Sequence, residues 1–491
     1  MTQSNKHAIG ADGLDPDRWK ALFVFAIASL MVVLDASIVN IALPSAQKAL
    51  HISNANRQWV VTAYSLAFGS LLLLGGRIAD FVGRKKIFII GLIGFAGASV
   101  LGGISSTQGL LFASRALQGA FGAMLAPAAL SLINVTFTVP KERARAFGVY
   151  GAISGGGAAI GLILGGTLTE YANWRWCLFV NAPIALIAVL LAIPNVKESH
   201  AAGNRSYDIP GAVTVTLGLV SLVYGFSQAA NHGWGNSSTY RYFIVAAVLL
   251  AIFFVLETKV KNPLLPLRVL NERNRGGSYL GAVLVGTGLF AMFLFLSIYF
   301  QTFLHYSSLK SGFAFLPFSA GVIVFAGVAS QLLPKFGPRP LMVVGLLMGA
   351  GGLLLLSNIT PESSYTKNIL PAIIIMSTGL ALFFIPSAST GLHNAGEHDA
   401  GVASAMLNTS QQIGGSLGAA LLNTVAISSS AAFTKSHSSL GAMLAPTAAV
   451  HGFAATFKIG AAFLLVAAIV SAFMINVGKD SLTESEGGAL I

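Results

Sequence analysis

Asp35 lies in "MVVLDASIVNIALP" (Met31 to Pro44) and is the only charged residue between Lys20 and Lys48. Arg115 stands in the equally apolar run "SRALQGAFGA". Burial favours the protonated form of a carboxylate and a nearby arginine favours the ionised form. Those opposed pulls suit an acid that must take up and release a proton. A carboxylate out of contact with water can satisfy a proton or a cationic ligand, but not both. Exchange of one proton for one monovalent cation would move no net charge, and each pH unit would then be worth about 1.4 kcal/mol, a tenfold concentration ratio.

Other polar side chains share helical faces with this pair. Arg115, Gln118, Gly119 and Gly122 fall at i, i+3, i+4 and i+7, and Ser404, Asn408, Gln411 and Gly415 form a similar stripe. Such stripes face a cavity or another helix. The candidate cavity residues are Asn40, Tyr64, Gln118, Gln301, Asn408 and Gln411, with Phe, Tyr and Met side chains as apolar walls. Glu170 and Glu257 sit at segment ends and read as solvated charges. His51, His305, His393 and His451 are scattered and form no ligand cluster.

The elements that must position these groups are membrane helices. Only 9% of the 491 residues are charged and 55% are hydrophobic, with mean hydropathy +0.75. A soluble domain carries about 25% charged residues, so lipid must cover this chain. About 20 apolar residues span a bilayer. Fourteen such runs lie near 21–43, 58–76, 87–105, 109–133, 146–168, 176–194, 209–228, 241–257, 277–303, 312–333, 341–359, 368–390, 402–426 and 453–477. With this topology about 20 Lys and Arg fall on the side of both termini and about 8 on the other, with Arg115 inside a span. Basic residues concentrate on the cytoplasmic side, so both termini are expected there. The excess of 29 Lys and Arg over 17 Asp and Glu is thus an orientation signal, and no nucleic-acid partner is expected.

At these depths, and at 1.5 Å per residue, Asp35 and Arg115 lie about 12 and 9 Å below the same face. They are expected to pair. Trp19, Trp59, Trp174 and Trp176 fall at span ends, as interfacial aromatics do. The Lys259–Arg275 connector mixes apolar and basic residues and is expected to lie on the membrane surface. No removable leader is apparent. The single cysteine, Cys177, excludes an intrachain disulfide, and there is no nucleotide-binding G-x-x-x-x-G-K-[ST] pattern. No cofactor and no metal are expected.

The chain also repeats itself. "GRIADFVGRKKIFIIGLIG" and "LLPKFGPRPLMVVGLLMG" follow the second and tenth runs, with Gly83 and Gly91 spaced like Gly337 and Gly345. Pro334 stands where Asp80 would be. Repeated halves that rock about a midplane site are a mark of secondary transporters.

"LDASIVNIALP" (34–44), "GRIADFVGRKK" (76–86), "RALQGAFGA" (115–123) and "GAAIGLILGGTL" (157–168) together resemble the fourteen-span drug:proton antiporter branch of the major facilitator superfamily. Leu162 stands where the last signature usually carries proline. "WRWCLFVNAPI" (174–184) and "LNTSQQIGGSLGAALLNTV" (407–425) add to the likeness. The resemblance implies an all-α polytopic major facilitator fold: residues 21–194 and 277–477 as two pseudo-symmetric six-helix bundles, 195–276 as an extra helix pair with its connector, and 1–20 and 478–491 as cytoplasmic tails. It implies proton-coupled export of drugs or other amphipathic molecules by a monomeric, multi-pass protein of the plasma membrane, a bacterial inner membrane, with Asp35 and Arg115 as the coupling and substrate site. It assigns Gly76, Asp80, Gly83, Arg84 and Lys85 to a gating loop, in which Asp80 caps span 13 and Arg84 pairs with Glu397 or Asp399. Gly157, Gly161, Gly165 and Gly166 would form the antiporter helix, a smooth seam against a neighbour. The alternatives are a carrier for one endogenous metabolite or antibiotic on the same scaffold and, from a different class, an intramembrane lipid-modifying enzyme. No clustered Ser/His or His/acid site supports the enzyme.

Overall fold

The computed structural model describes residues 16–200, 208–261, 263–393 and 400–478. Its regular structure is helical throughout, because backbone polar groups surrounded by lipid must bond within their own segment. Six long helices come first: α1 (Arg18–Ala49), α2 (Trp59–Val82), α3 (Arg84–Gly103), α4 (Gln108–Thr136), α5 (Pro140–Tyr171) and α6 (Trp176–Asn195). The pair α7 (Ile209–His232) and α8 (Ser237–Lys259) follows. The last six are α9 (Arg273–Thr302), α10 (Ser308–Phe336), α11 (Pro338–Leu356), α12 (Tyr365–Gly391), α13 (Ala400–Ser436) and α14 (Leu444–Met474). Thirteen are long and apolar enough to cross a membrane among the described residues. The fourteenth long helix, α5, has 32 residues.

Local sequence sets the ends. Thr107, Asn236 and Ser307 accept backbone N–H groups in the first turns of α4, α8 and α10. Gly83 and Gly337 separate α2 from α3 and α10 from α11 with φ of +123° and +77°, a backbone region reserved for glycine. α13 and α14 run past the spans expected of them, and Phe433, His437 and His451 stack where they project.

The helix contacts repeat with a period of eight helices. In the first half α1 packs on α5 and α6, α2 on α4, and α3 on α4 and α6. In the second half α9 packs on α13 and α14, α10 on α12, and α11 on α12 and α14. The halves meet where α5 packs on α10 and α2 on α13. α7 lies against both α2 and α13 and so covers that second seam.

Small residues allow the close approaches. Side chains added at Gly157, Gly161 or Gly165 would run into Val33, Leu34 or Ile38 of α1, the second of them 2.8 Å from the Leu34 carbonyl oxygen. Gly166 faces the other way, with the α10 backbone at Ser308 and Leu309 within 2.7 Å of where its Cβ would sit. Association in lipid depends on such packing, because hydrocarbon tails are as apolar as leucine.

Two expectations fail here. The connector after α8 is not a surface segment: Leu264, Leu265 and Val269 are buried against Phe253, Tyr279, Ala403 and Met406. Its apolar residues have a protein surface to cover, so they leave the lipid boundary. Glu257 is not solvated either. It is buried and accepts the Leu265 backbone N–H at 2.8 Å, because that connector folds over it.

Candidate functional site

Asp35 and Arg115 meet inside the first half, both almost fully excluded from solvent. Arg115 Nη1 donates to Asp35 Oδ2 at 2.6 Å and to Gln118 Oε1 at 2.5 Å, and its Nε donates to the Val60 carbonyl at 3.0 Å. The guanidinium carbon lies 4.5 Å from the centre of the Tyr64 ring. The other oxygen of Asp35 accepts from Gln118 Nε2 at 2.7 Å and from Asn181 Nδ2 at 2.8 Å. Ser99 closes the network: its Oγ accepts from Gln118 and Asn181 and donates to the Leu178 carbonyl.

Four helices converge to build this cluster: α1 brings Asp35, α3 Ser99, α4 Arg115 and Gln118, and α6 Asn181. α2 supplies the Tyr64 ring and, at its start, the Val60 carbonyl. Both oxygens of Asp35 accept hydrogen bonds and neither faces an acceptor, which is the geometry of an ionised carboxylate. Arg115 would keep Val60, Gln118 and the Tyr64 ring, so the cluster can release the acid without stranding the cation. Two polar atoms at its edge, Tyr64 Oη and Asn181 Oδ1, are buried with no hydrogen-bond partner.

The remaining sequence candidates lie elsewhere. Asn40 and Gln301 sit at the junction of the halves: the Asn40 carbonyl accepts from Ser297 Oγ at 2.8 Å and the Ile41 carbonyl from Gln301 Nε2 at 3.1 Å. On α13, Asn408 is exposed and Gln411 is half-buried, and the Ser404 side chain is outside the described set. Glu170 is exposed but accepts the Leu309 backbone N–H at 2.9 Å, joining α5 to the start of α10. Gly76 packs on Pro127.

Asp80 pairs with Arg84 at 2.8 Å, one turn away, and the residues just before α13 that it is expected to cap lie outside the described residues. Glu397 and Asp399, the other partners expected of Arg84, lie outside the described residues. Glu198 instead accepts the Lys85 and Lys86 backbone N–H groups and so caps α3, where anions are favoured.

Sequence reasoning missed three groups. Asn181 and Ser99 touch Asp35 or its partners, and only the isolation of Asn181 within an apolar run signals it. Arg57 forms a clamp at the end of the molecule away from the termini. Its Nε donates to Asn423 Oδ1 at 3.1 Å, and Asn423 Nδ2 donates to the Asn54 carbonyl and to Gln58 Oε1. The Arg57 guanidinium also lies over the Phe295 ring at 5.5 Å. With the Ser297, Gln301 and Glu170 bonds, this clamp closes the two halves against each other at that end.

The sequence model of the Major Facilitator Superfamily matches residues 25–419. Puromycin resistance protein pur8 of Streptomyces alboniger is 46% identical over 476 residues, which cover 96% of this chain and 93% of that protein. Cephamycin export protein CmcT of Amycolatopsis lactamdurans is 36% identical over 409 residues, covering 82% and 84%. The crystal structure of a bacterial homolog to the human lysosomal transporter Spinster, inward-facing and unoccupied, superimposes with a TM-score of 0.66 at 15% identity, covering 96% of this chain and 98% of that one. That last likeness is one of fold. The chain is a multi-span membrane protein and belongs to the Major Facilitator Superfamily.

Proposed function

We propose that the chain is a secondary transporter that exports drugs or antibiotics in exchange for protons by alternating access, and that it is not an enzyme. The observation that carries this reading is the Asp35 carboxylate, buried at mid-helix and held by Arg115, Gln118 and Asn181. A charge so placed is functional by default. The protein works as a monomer in the cell membrane, with both termini in the cytoplasm, as the distribution of Lys and Arg favours.

External protons reach Asp35 and displace one of its donors, and the halves then rock to face the cytoplasm. There the substrate enters as the proton leaves. Asp35 is the one acid among the buried groups of the first half, so monovalent cations and neutral amphipathic compounds are favoured over dications. Antibiotics are the first substrates to test, because the relatives are named for puromycin resistance and cephamycin export. Those names also favour the narrower alternative of a carrier for one antibiotic.

The test uses purified protein in liposomes with an imposed pH gradient, with a fluorescent lipophilic cation and puromycin compared as substrates. Wild type should accumulate at least one in proportion to the gradient. Asp35→Asn should lose gradient-driven uptake and keep downhill exchange. Full pH-driven uptake by Asp35→Asn would remove this residue from coupling, and uptake of puromycin alone would establish the narrower carrier.

A further inference from the structure

The α7–α8 pair has no counterpart in either half, and its base, at the end that carries the termini, holds two buried acids. Asp208, just before α7, is 3% exposed and Glu257, in the last turn of α8, is 4% exposed. Asp208 Oδ1 accepts the Gly211 backbone N–H at 2.8 Å and its Oδ2 accepts that of Leu264 at 3.4 Å. Glu257 Oε2 accepts the N–H of the next residue, Leu265, at 2.8 Å. Adjacent amides therefore hold the two carboxyl groups side by side. The remaining oxygen, Glu257 Oε1, is buried with no hydrogen-bond partner.

No cation offsets this pair among the described residues. Lys259, Lys261 and Arg268 are exposed. Arg275 of α9 turns to Glu272 and to the Arg268 carbonyl, and the Tyr279 hydroxyl donates to the Gly391 carbonyl. On the first-half side Arg84 is taken by Asp80, and Arg77 of α2 makes no ion pair with either acid among the described residues. α13 brings no titratable side chain before Lys435, at its opposite end. Two neighbouring buried carboxyls with no cation beside them among the described residues do not readily both ionise.

We propose that Asp208 and Glu257 form a second proton-binding site, holding one proton between them at Glu257 Oε1, and that loss of this proton frees the connector at Leu264 and Leu265 from the seam between the halves. The proton supplies the partner that Oε1 lacks and turns a repelling pair into a hydrogen-bonded one. When it leaves, two negative charges share the site, the carboxyls separate, and the adjacent amides they hold lose their acceptors. Leu265 and Val269 pack with Leu73 of α2 and with Ala403 and Met406 of α13. Docking of the connector therefore bears on both halves at once. The α7–α8 pair is thereby a sensor of pH at its own face, independent of the Asp35 exchange reaction.

The two amides report the docking directly. Hydrogen–deuterium exchange of the full-length protein, corrected for the intrinsic pH dependence of exchange, would follow peptides covering Leu264 and Leu265. Their protection should fall at least tenfold between pH 6 and pH 9 in wild type, while peptides from α11 stay unchanged. Glu257→Gln should hold protection flat over that range. Asp208→Asn, which leaves a single carboxyl, should flatten it too, and it carries the test should Glu257→Gln fail to fold. Flat protection in wild type, or a wild-type fall in either variant, would overturn the proposal. Because no substrate is involved, failure here leaves the exchange reading of Asp35 standing, and failure there leaves this one.

Discussion

The two halves pack their helices in the same pattern and fill their interiors differently. Where α1, α3, α4 and α6 enclose Asp35, Ser99, Arg115, Gln118 and Asn181, the counterparts α9, α11, α12 and α14 enclose Met292, Phe295, Met342, Met376, Phe383 and Leu464. In the second half the one ion pair among the described residues, Arg275 with Glu272, sits at the near end of α9. The scaffold thus closes without a buried charge pair, so packing is not the reason for one in the first half. One half buries a charged, hydrogen-bonded cluster and the other an apolar interior of Met, Phe and Leu.

The largest expected effect breaks that difference. Arg115→Met leaves Asp35 buried without its cation and should destabilise the protein by about 3–5 kcal/mol, the usual consequence of stranding one member of a buried pair. Adding Asp35→Leu should recover most of that loss, giving the first half an interior like that of the second. Thermal unfolding in detergent would check both variants, and neither should support pH-driven transport. An Arg115→Met protein as stable as wild type would mean that Asp35 is not held as an ion.

The Arg57–Asn423 clamp joins the halves and is the next test. Asn423→Ala removes the hydrogen bonds of Arg57 and Gln58 across the seam, leaving Arg57 only the Phe295 ring there, and should cost about 1–3 kcal/mol of the closed arrangement, a 5- to 150-fold shift in population. Distance measurements between spin labels on the α1–α2 and α9–α10 loops should show the far end opening. An unchanged distance distribution would assign closure to the α5–α10 contacts and the Ser297, Gln301 and Glu170 bonds.

Much of this difference between halves is legible in the sequence. Hydropathy marks fourteen spans, and four-residue glycine spacing marks the close approach of α5 to α1. Isolation and matched depth bring Asp35 to Arg115, and helical spacing adds Gln118. The rest needs tertiary structure. Serine and asparagine in helices are ordinary, so Ser99 and Asn181 carry little signal. Arg57 and Asn423 lie 366 positions apart in sequence. Glu257 reads as a solvated end charge because nothing local reveals that the connector returns to cover it. Asp80 and Arg84 pair within one helical turn, an i,i+4 spacing that the sequence itself displays.

The repeated turns give a smaller effect. Gly83→Ala and Gly337→Ala should each cost about 1–3 kcal/mol, since both glycines have backbone angles that side chains avoid. Gly83→Ala should be the worse, because its new Cβ would meet the Glu198 carboxyl at 2.9 Å and disturb the cap on α3. Equal losses in thermal unfolding would show that Glu198 yields freely.

The smallest effect distinguishes the starts of the matching helices α1 and α9. Asp17 makes no cap bond at the start of α1 and pairs with Lys20, whereas Glu272 accepts the Asn274 and Arg275 backbone N–H groups and the Asn274 side chain. Partial burial raises the Glu272 carboxyl, but those donors together with the Arg275 charge outweigh it and hold the group below its ordinary value of 4.5. The sign follows. A carboxyl held low in the folded state stabilises above its ordinary value and loses that contribution as pH falls through the folded one. Glu272→Gln should cost about 0.5–1 kcal/mol at neutral pH, within the range for a helix cap. The variant and wild type should converge once pH has fallen through the lowered folded value, and a difference that persists there would assign the role of Glu272 to packing rather than charge.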